Sequence, residues 1–230
     1  MRQEMKIERF RDHREGDGKQ EPSGRRTEGE KVLAWAHVIL PALAFLALRM
    51  LFSVICWKIS MLGYPADEGS AESFRRELAD AASACLLAPG IVAWAWRRRE
   101  WTPGKASVFW CVLWSAAACA AAMLARLMMP ELLASNRFCH PLIVCGEGLA
   151  GPVMEEFVYR GVAFDRARRL IGKTGAVFIT ALLFAAAHSG GTQVLFALIM
   201  GCVFGMMRIC SGGVLLPAAA HVLINLSTLL

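Results

Sequence analysis

The stretch at residues 141–164 reads PLIVCGEGLAGPVMEEFVYRGVAF, a long apolar run that acidic residues interrupt. A helix that crosses a bilayer needs about 20 mainly apolar residues, and this stretch has that length. Glu147, Glu155 and Glu156 lie within it. Charged groups inside a bilayer are costly unless they are paired or hydrated, so they are candidates for function. The stretch therefore predicts a membrane helix that carries polar chemistry.

The composition of the whole chain is that of a membrane protein. Its 230 residues are 56% hydrophobic, the formal net charge is +6 and the mean hydropathy is +0.45. Soluble domains are about 45–50% apolar with about a quarter of their residues charged, so a soluble globule is excluded. The basic residues flank apolar segments and form no stripe, which argues against a nucleic-acid partner.

The first 31 residues differ from the rest because they are rich in charges of both signs. They contain nine Lys or Arg and eight Asp or Glu residues. They lack the apolar core of about 7–15 residues that a signal peptide requires. Residues 1–31 are therefore predicted to form a disordered, charged tail on the cytoplasmic side.

Seven segments are apolar enough to cross a membrane, which predicts an all-α, polytopic helix bundle. They lie near residues 32–57, 80–96, 106–129, 141–164, 174–187, 193–207 and 214–230. We divide them into amino-terminal transmembrane helices (32–140) and core helices (141–230). With the amino terminus in the cytoplasm, 19 Lys and Arg residues fall on the cytoplasmic side and five on the opposite side. The positive-inside rule favours this orientation, which places the end of the seventh segment outside.

Three of these segments carry pairs of residues four positions apart, which share one face of a helix. The fourth has Glu156 and Arg160, preceded by Glu155, which has no such partner in its own helix. The other two pairs are Phe184 with His188 in the fifth segment and His221 with Asn225 in the seventh. At 1.5 Å per residue, Glu155, His188 and His221 would lie in one central layer of the bilayer.

These residue types are the parts needed to hydrolyse an amide bond with water. Glu155 would act as the general base, and His188 would orient or polarise the same water. His221 and Asn225 offer two hydrogen-bond donors for the oxyanion that forms.

Other chemistries remain open on the same residues. No GxSxG is present, and Ser189 does not face its neighbour His188, so a serine mechanism is weakly supported. Glu155, His188 and His221 match a His₂Glu zinc set, but no HExxH is present and Asn225 would have no task. The eight cysteines form no CxxC pair and indicate neither a disulfide framework nor a zinc knuckle.

A function of another class is a non-enzymatic membrane partner, such as an immunity factor. Arg49 in the first helix and Glu147 in the fourth favour it, because the hydrolytic chemistry gives them no role. Snorkelling or a hydrated vestibule is the favoured explanation for both charges.

In their order and spacing, the three sets resemble the motifs of the CPBP family of CAAX-processing and bacteriocin-processing intramembrane endopeptidases. The resemblance covers about residues 141–230. It implies a glutamic mechanism without a metal or cofactor, in which Glu155 and His188 activate water and His221 and Asn225 form the oxyanion site. It also implies that Glu156, Arg160 and Phe184 support this constellation.

The family resemblance sets the expected partners and location. The substrate would be a membrane-embedded protein or peptide, such as a protein's hydrophobic carboxy-terminal sorting signal. The short chain looks bacterial, which implies the inner membrane and makes CAAX removal the less expected activity. The oligomeric state stays open.

Overall fold

The computed structural model describes residues 27–63, 69–97, 108–128 and 140–229. Every regular element among these residues is helical, which confirms the all-α prediction. The chain divides into two units, residues 1–33 and 34–230. Most of the predicted tail (1–31) lies outside the described residues.

Within the first unit, the described residues begin a helix with a capping box. The backbone N–H of Thr27 donates to Glu30 Oε2 over 2.8 Å, and that of Glu30 donates to Thr27 Oγ1 over 3.3 Å. These two bonds satisfy N–H groups that a helix start leaves unpaired.

The described residues form seven consecutive helices, here numbered in chain order. They are α1 (Glu28–Gly63), α2 (Gly69–Arg97), α3 (Val108–Met128), α4 (residues 141–163), α5 (Phe164–Ala185), α6 (Gly191–Ser211) and α7 (Leu215–Leu229). Each overlaps one of the seven predicted segments. Helix α2 begins eleven residues before its predicted segment, because a polar turn with the ion pair of Glu72 and Arg76 precedes the apolar run.

Three of the described helices are long and apolar enough to cross a membrane by themselves, with spans at Glu28–Ser60, Glu72–Trp94 and Gly191–Ser211. Large apolar side chains also point outward along the bundle, among them Leu51 (55% exposed) and Leu223 (67% exposed). An apolar outer surface of this kind is suited to lipid, and the protein is an integral membrane protein. The number of seven crossings stays a prediction.

Helix α4 alternates between α-helical and π-helical turns. Pro141–Ile143 and Gly151–Glu156 are α-helical, whereas Val144–Ala150 and Phe157–Ala163 are π-helical. Pro141 suits the first position of the helix, and His140 Nδ1 accepts a bond of 3.3 Å from the N–H of Leu142. Wide π turns are rare and frequent at functional sites. Glu155 and Glu156 end the short α-helical piece between two of them.

The boundary between the fourth and fifth predicted segments lies at Gly172. The backbone there has φ 75° and ψ 177°, a conformation that favours glycine, and it interrupts the helical run. The first turns of α5 therefore continue α4, and the residues after Gly172 run back through the bundle beside α6.

Small residues let the helices around the core approach closely. Gly146 of α4 lies directly against the backbone of Ala81 in α2, and a Cβ at Gly201 of α6 would lie 2.9 Å from Cα of Ala181 in α5. Between these contacts lies a buried cluster that includes Met154, Tyr159 and Phe184.

Candidate active site

A cavity of about 580 Å³ opens between α1, α4, α5, α6 and α7. The four residues predicted to be catalytic, and Phe184, all line it. It is also lined by polar residues from α1, α2 and α4 and by apolar residues from α6: Arg49, Asp80, Glu147, Phe196, Ala197 and Met200. Three helices far apart in sequence thus bring the predicted residues to one space.

Glu155 is partly buried, and an arginine from the first helix holds it. Arg49 Nη1 donates to Glu155 Oε1 over 2.6 Å. The other nitrogen, Nη2, lies 3.1 and 3.2 Å from the two carboxylate oxygens of Glu147. The guanidinium therefore links two acidic residues of α4, and Glu155, which has no partner in its own helix, has one in α1.

Glu156 and Arg160 form an ion pair behind the cavity wall. Their side chains are fully buried (0% exposed), and Glu156 Oε1 lies 3.1 Å from Arg160 Nη1, as the four-residue spacing predicts. Arg160 Nη2 also donates to the carbonyl of Gly201 over 3.2 Å. Its guanidinium lies over the rings of Phe184, at 4.6 Å, and Phe204, at 5.5 Å. Arg160 thus connects α4 with α5 and α6.

His221 lies between the two glutamates. Its Nδ1 is 3.1 Å from Glu156 Oε1, and its Nε2 is 3.9 Å from Glu155 Oε2. The ring stacks on Phe204 with centroids 4.8 Å apart and meets the edge of Phe184 at 5.6 Å. Because a carboxylate only accepts hydrogen bonds, we assign a proton to Nδ1. Nε2 then faces Glu155 and the cavity.

His188 lies in the turn that follows α5, and the last turn of that helix orients its ring. Its Nδ1 lies 2.9 Å from the carbonyl oxygen of Phe184, and its ring meets the Phe184 ring at 4.7 Å. The carbonyl can only accept, so Nδ1 carries the proton and the neutral ring has its lone pair on Nε2. His188 is therefore prepared to accept a hydrogen bond at the cavity.

Asn225 Nδ2 donates to the backbone carbonyl of Glu147 over 2.9 Å. A carboxamide nitrogen has two hydrogens, so this bond fixes the group and leaves one donor. The contact ties α7 to the π turn that carries Glu147.

Arg49, Glu147 and Phe204 line the site but have no role in the hydrolytic chemistry predicted from the sequence. Arg49 and Glu147 carry a signal, a charge inside an apolar helix, but nothing in the sequence pairs positions 98 residues apart. Phe204 resembles any other apolar residue of α6.

Among the described residues, no three His, Cys, Asp or Glu side chains form a group that could hold a metal ion. Glu155, His188 and His221 line one cavity, yet the carboxylate of Glu155 is engaged by Arg49. The donor set of the zinc alternative is thus not assembled in this arrangement.

One comparison with known proteins gives a match. Residues 139–227 match the family described as type II CAAX prenyl endopeptidase Rce1-like. The chain matches no curated protein and no solved structure. The matched region contains all three polar sets, whereas Arg49 lies outside it. The resemblance predicted from the motifs is confirmed, because this carboxy-terminal region is similar to the CPBP, or CAAX-protease, family.

Proposed function

We propose that the protein is an intramembrane endopeptidase of the bacterial inner membrane that cuts a membrane-anchored protein or peptide with a glutamate-activated water. The observation that carries the proposal is the convergence of Glu155, His188, His221 and Asn225 on one cavity. A carboxylate, two imidazoles and a carboxamide at one partly enclosed site are the groups that water attack on an amide requires.

Hydrolysis would begin with water held between Glu155 and Nε2 of His188. The water oxygen bonds to the scissile carbonyl carbon while its proton passes to Glu155. The carbonyl oxygen becomes an oxyanion and accepts from the free N–H of Asn225 and from Nε2 of His221. Nδ1 of His221 already carries a proton, so donation from Nε2 requires the doubly protonated ring. The C–N bond then breaks, and Glu155 returns the proton to the leaving amine.

The apolar wall of the cavity favours a substrate that is apolar beside the scissile bond. Ala187, Phe196, Ala197 and Met200 form the wall on the α5 and α6 side. An extended segment of a membrane-anchored peptide would bury apolar side chains there and present its backbone to Glu155. A hydrophobic carboxy-terminal sorting signal has this character.

The test is to replace Glu155 with Gln, which removes the base with almost no change in volume. We expect the Glu155→Gln strain to accumulate the same uncut membrane proteins as a strain that lacks the protein. General acid–base catalysis is worth about 10²- to 10⁴-fold, so cutting should be nearly abolished. The matched control is Glu72→Gln, which alters a surface ion pair of α2 and should cut normally. Quantitative proteomics of the membrane fraction measures both.

Two outcomes would contradict the proposal. Normal cutting by Glu155→Gln would favour the non-enzymatic membrane partner instead. Loss of cutting with a chelator, restored by zinc and accompanied by stoichiometric metal in the purified protein, would favour the zinc mechanism.

A further inference from the structure

Arg49 is one of the charged residues of the cavity that the hydrolytic scheme leaves without a task. It comes from α1, 90 positions before the matched family region, yet its Nη1 lies only 2.6 Å from Glu155 Oε1. Its side chain is 21% exposed, and it crosses from one helix to another to reach two carboxylates. Ordering a long, charged side chain in this way costs conformational entropy, so the contact needs a reason.

The geometry of Glu155 supplies that reason. One carboxylate oxygen, Oε1, is bound by Arg49, and the other, Oε2, faces Nε2 of His221. A carboxylate has one free torsion along its last bond, and a short, charge-assisted bond to one oxygen fixes the direction of the other. The oxygen that must receive the proton of the attacking water is thereby aimed at the cavity.

Glu147 holds Arg49 in turn. Both of its oxygens contact Nη2, and its backbone carbonyl accepts from Asn225. Arg49 is therefore fixed from the same π turn that fixes Asn225. On the α1 side, Phe45 packs on Tyr159 edge to face at 6.4 Å, and the hydroxyl of Ser53 bonds to Asp80. These contacts keep this part of α1 beside the cavity.

We infer that Arg49, braced by Glu147, is a positioning residue that orients the carboxylate of Glu155 for water activation. The inference rests on the proposed function, because it assigns Arg49 a task in that same reaction. It makes α1, which lies outside the matched family region, a working part of the site. A catalytic base whose direction is set by a third group is a recurrent arrangement in hydrolases.

The alternative is that Arg49 only neutralises acidic residues in the bilayer. The two roles differ in what lysine can do at this position. Lysine keeps the charge but lacks the planar fork that can bind Glu147 and Glu155 together. Neutralisation predicts full activity for Arg49→Lys, whereas positioning predicts a loss.

The experiment measures kcat and KM on a defined probe, the membrane protein that accumulates uncut in the Glu155→Gln strain, purified and labelled at its carboxy-terminal end. A shift of about 1 Å in a reacting group can cost about 100-fold, so we expect Arg49→Ala to lower kcat by about 10- to 100-fold with KM nearly unchanged. Added guanidinium chloride should restore part of kcat in a saturable way, since it replaces the missing group. Arg49→Lys should lose kcat as well, but less.

Glu147→Gln tests whether the contact of Glu147 with Arg49 matters for activity. It also replaces Arg49→Ala as the test variant if Arg49→Ala fails to fold. We expect a smaller loss of kcat than in Arg49→Ala, and no further loss when the two are combined, because Glu147 acts through Arg49. The matched control is Arg76→Ala, which removes an exposed arginine from its pair with Glu72 and should show neither a kcat loss nor a guanidinium effect.

The inference is overturned if Arg49→Ala or Arg49→Lys has normal kcat, if only KM changes, or if guanidinium restores nothing. Its failure is distinct from that of the proposed function. If Glu155→Gln is inactive while Arg49→Ala is normal, only the role of Arg49 is wrong. If Glu155→Gln is active, the proposed function itself is wrong.

Discussion

At the scale of single residues, the site is built from two layers of charge. The front layer, Arg49 with Glu147 and Glu155, lines the cavity and is partly exposed. The rear layer, Glu156 with Arg160, is fully enclosed. His221 contacts a glutamate of each layer. Glu155 and Glu156 are adjacent in sequence, yet their environments differ. In the proposed mechanism, Glu155 takes part in the reaction, and Glu156 holds the ring of His221 in place.

The rear layer makes Arg160 a large contributor to stability. Removing one partner of a buried ion pair leaves the other uncompensated and typically costs about 3–5 kcal/mol. Arg160→Ala would also free the carbonyl of Gly201 and the faces of Phe184 and Phe204. We expect it to lower the free energy of unfolding by at least that amount, measured by denaturant unfolding in detergent.

The control for Arg160→Ala is Arg168→Ala, which removes an exposed arginine from its pair with the partly exposed Asp165. Exposed pairs contribute about 0–1 kcal/mol, so its stability should be close to that of the parent. Equal stability of the two variants would show that the buried pair contributes no more to the free energy of unfolding than the pair of Arg168 and Asp165.

At the scale of elements, the π turns of α4 set where the site residues lie. The first π turn, Val144–Ala150, brings Glu147 to both Arg49 and Asn225. It also presents Gly146 to α2, and no side chain fits there because a Cβ would overlap the backbone of Ala81. The close approach of α2 and α4 at this point and the position of Glu147 therefore depend on each other.

We expect Gly146→Ala to push α2 and α4 apart. Overpacking a tight contact typically costs about 1–3 kcal/mol. The next residue, Glu147, contacts both Arg49 and Asn225, so the rate of substrate cleavage should also fall. Gly90→Ala in α2 is the matched control, since a Cβ there meets nothing within 4 Å. Removing a helical glycine stabilises by about 0.5–1 kcal/mol, so that variant should be slightly more stable and fully active. Unfolding and substrate-cleavage assays on both variants test this prediction. If Gly146→Ala has normal stability and activity, the close approach of α2 and α4 and the position of Glu147 do not depend on each other.

The helices and their contacts also show how much of the structure could be predicted from the sequence. The apolar runs predict every described helix, and the four-residue spacing predicts the pairs Glu156 with Arg160 and Phe184 with His188, because both rest on contacts between residues four positions apart. The ion pair of Arg49 and Glu155 spans 106 positions and depends on how two helices pack. The π turns escape prediction for a related reason, since hydrophobic periodicity does not show where a helix widens by one residue.

At the scale of the whole molecule, the basic residues and the site give one picture of the protein in its membrane. Glu155 lies ten positions before Asp165, about 15 Å along a helix, and thus near the middle of a hydrocarbon layer about 30 Å thick. Arg168, Arg169 and Lys173 lie beyond that end, around the break at Gly172. The positive-inside rule predicts that this end lies in the cytoplasm. We then expect the turn after α5 to lie on the outside and the turn after α6 to lie inside again.

This orientation is tested by fusing reporters after Gly172, Gly190 and Gly212, glycines of positive φ that mark the break before the return run of α5 and the two ends of α6. Alkaline phosphatase is active only outside the cytoplasm, so we expect activity after Gly190 alone. Replacing Arg168, Arg169 and Lys173 with Gln should weaken this contrast, because those charges hold the loop inside. Activity after Gly172 and Gly212 but not after Gly190 would reverse the orientation. Equal activity after Gly190 and Gly212 would mean that α6 does not cross, and the count of seven spans would then be wrong.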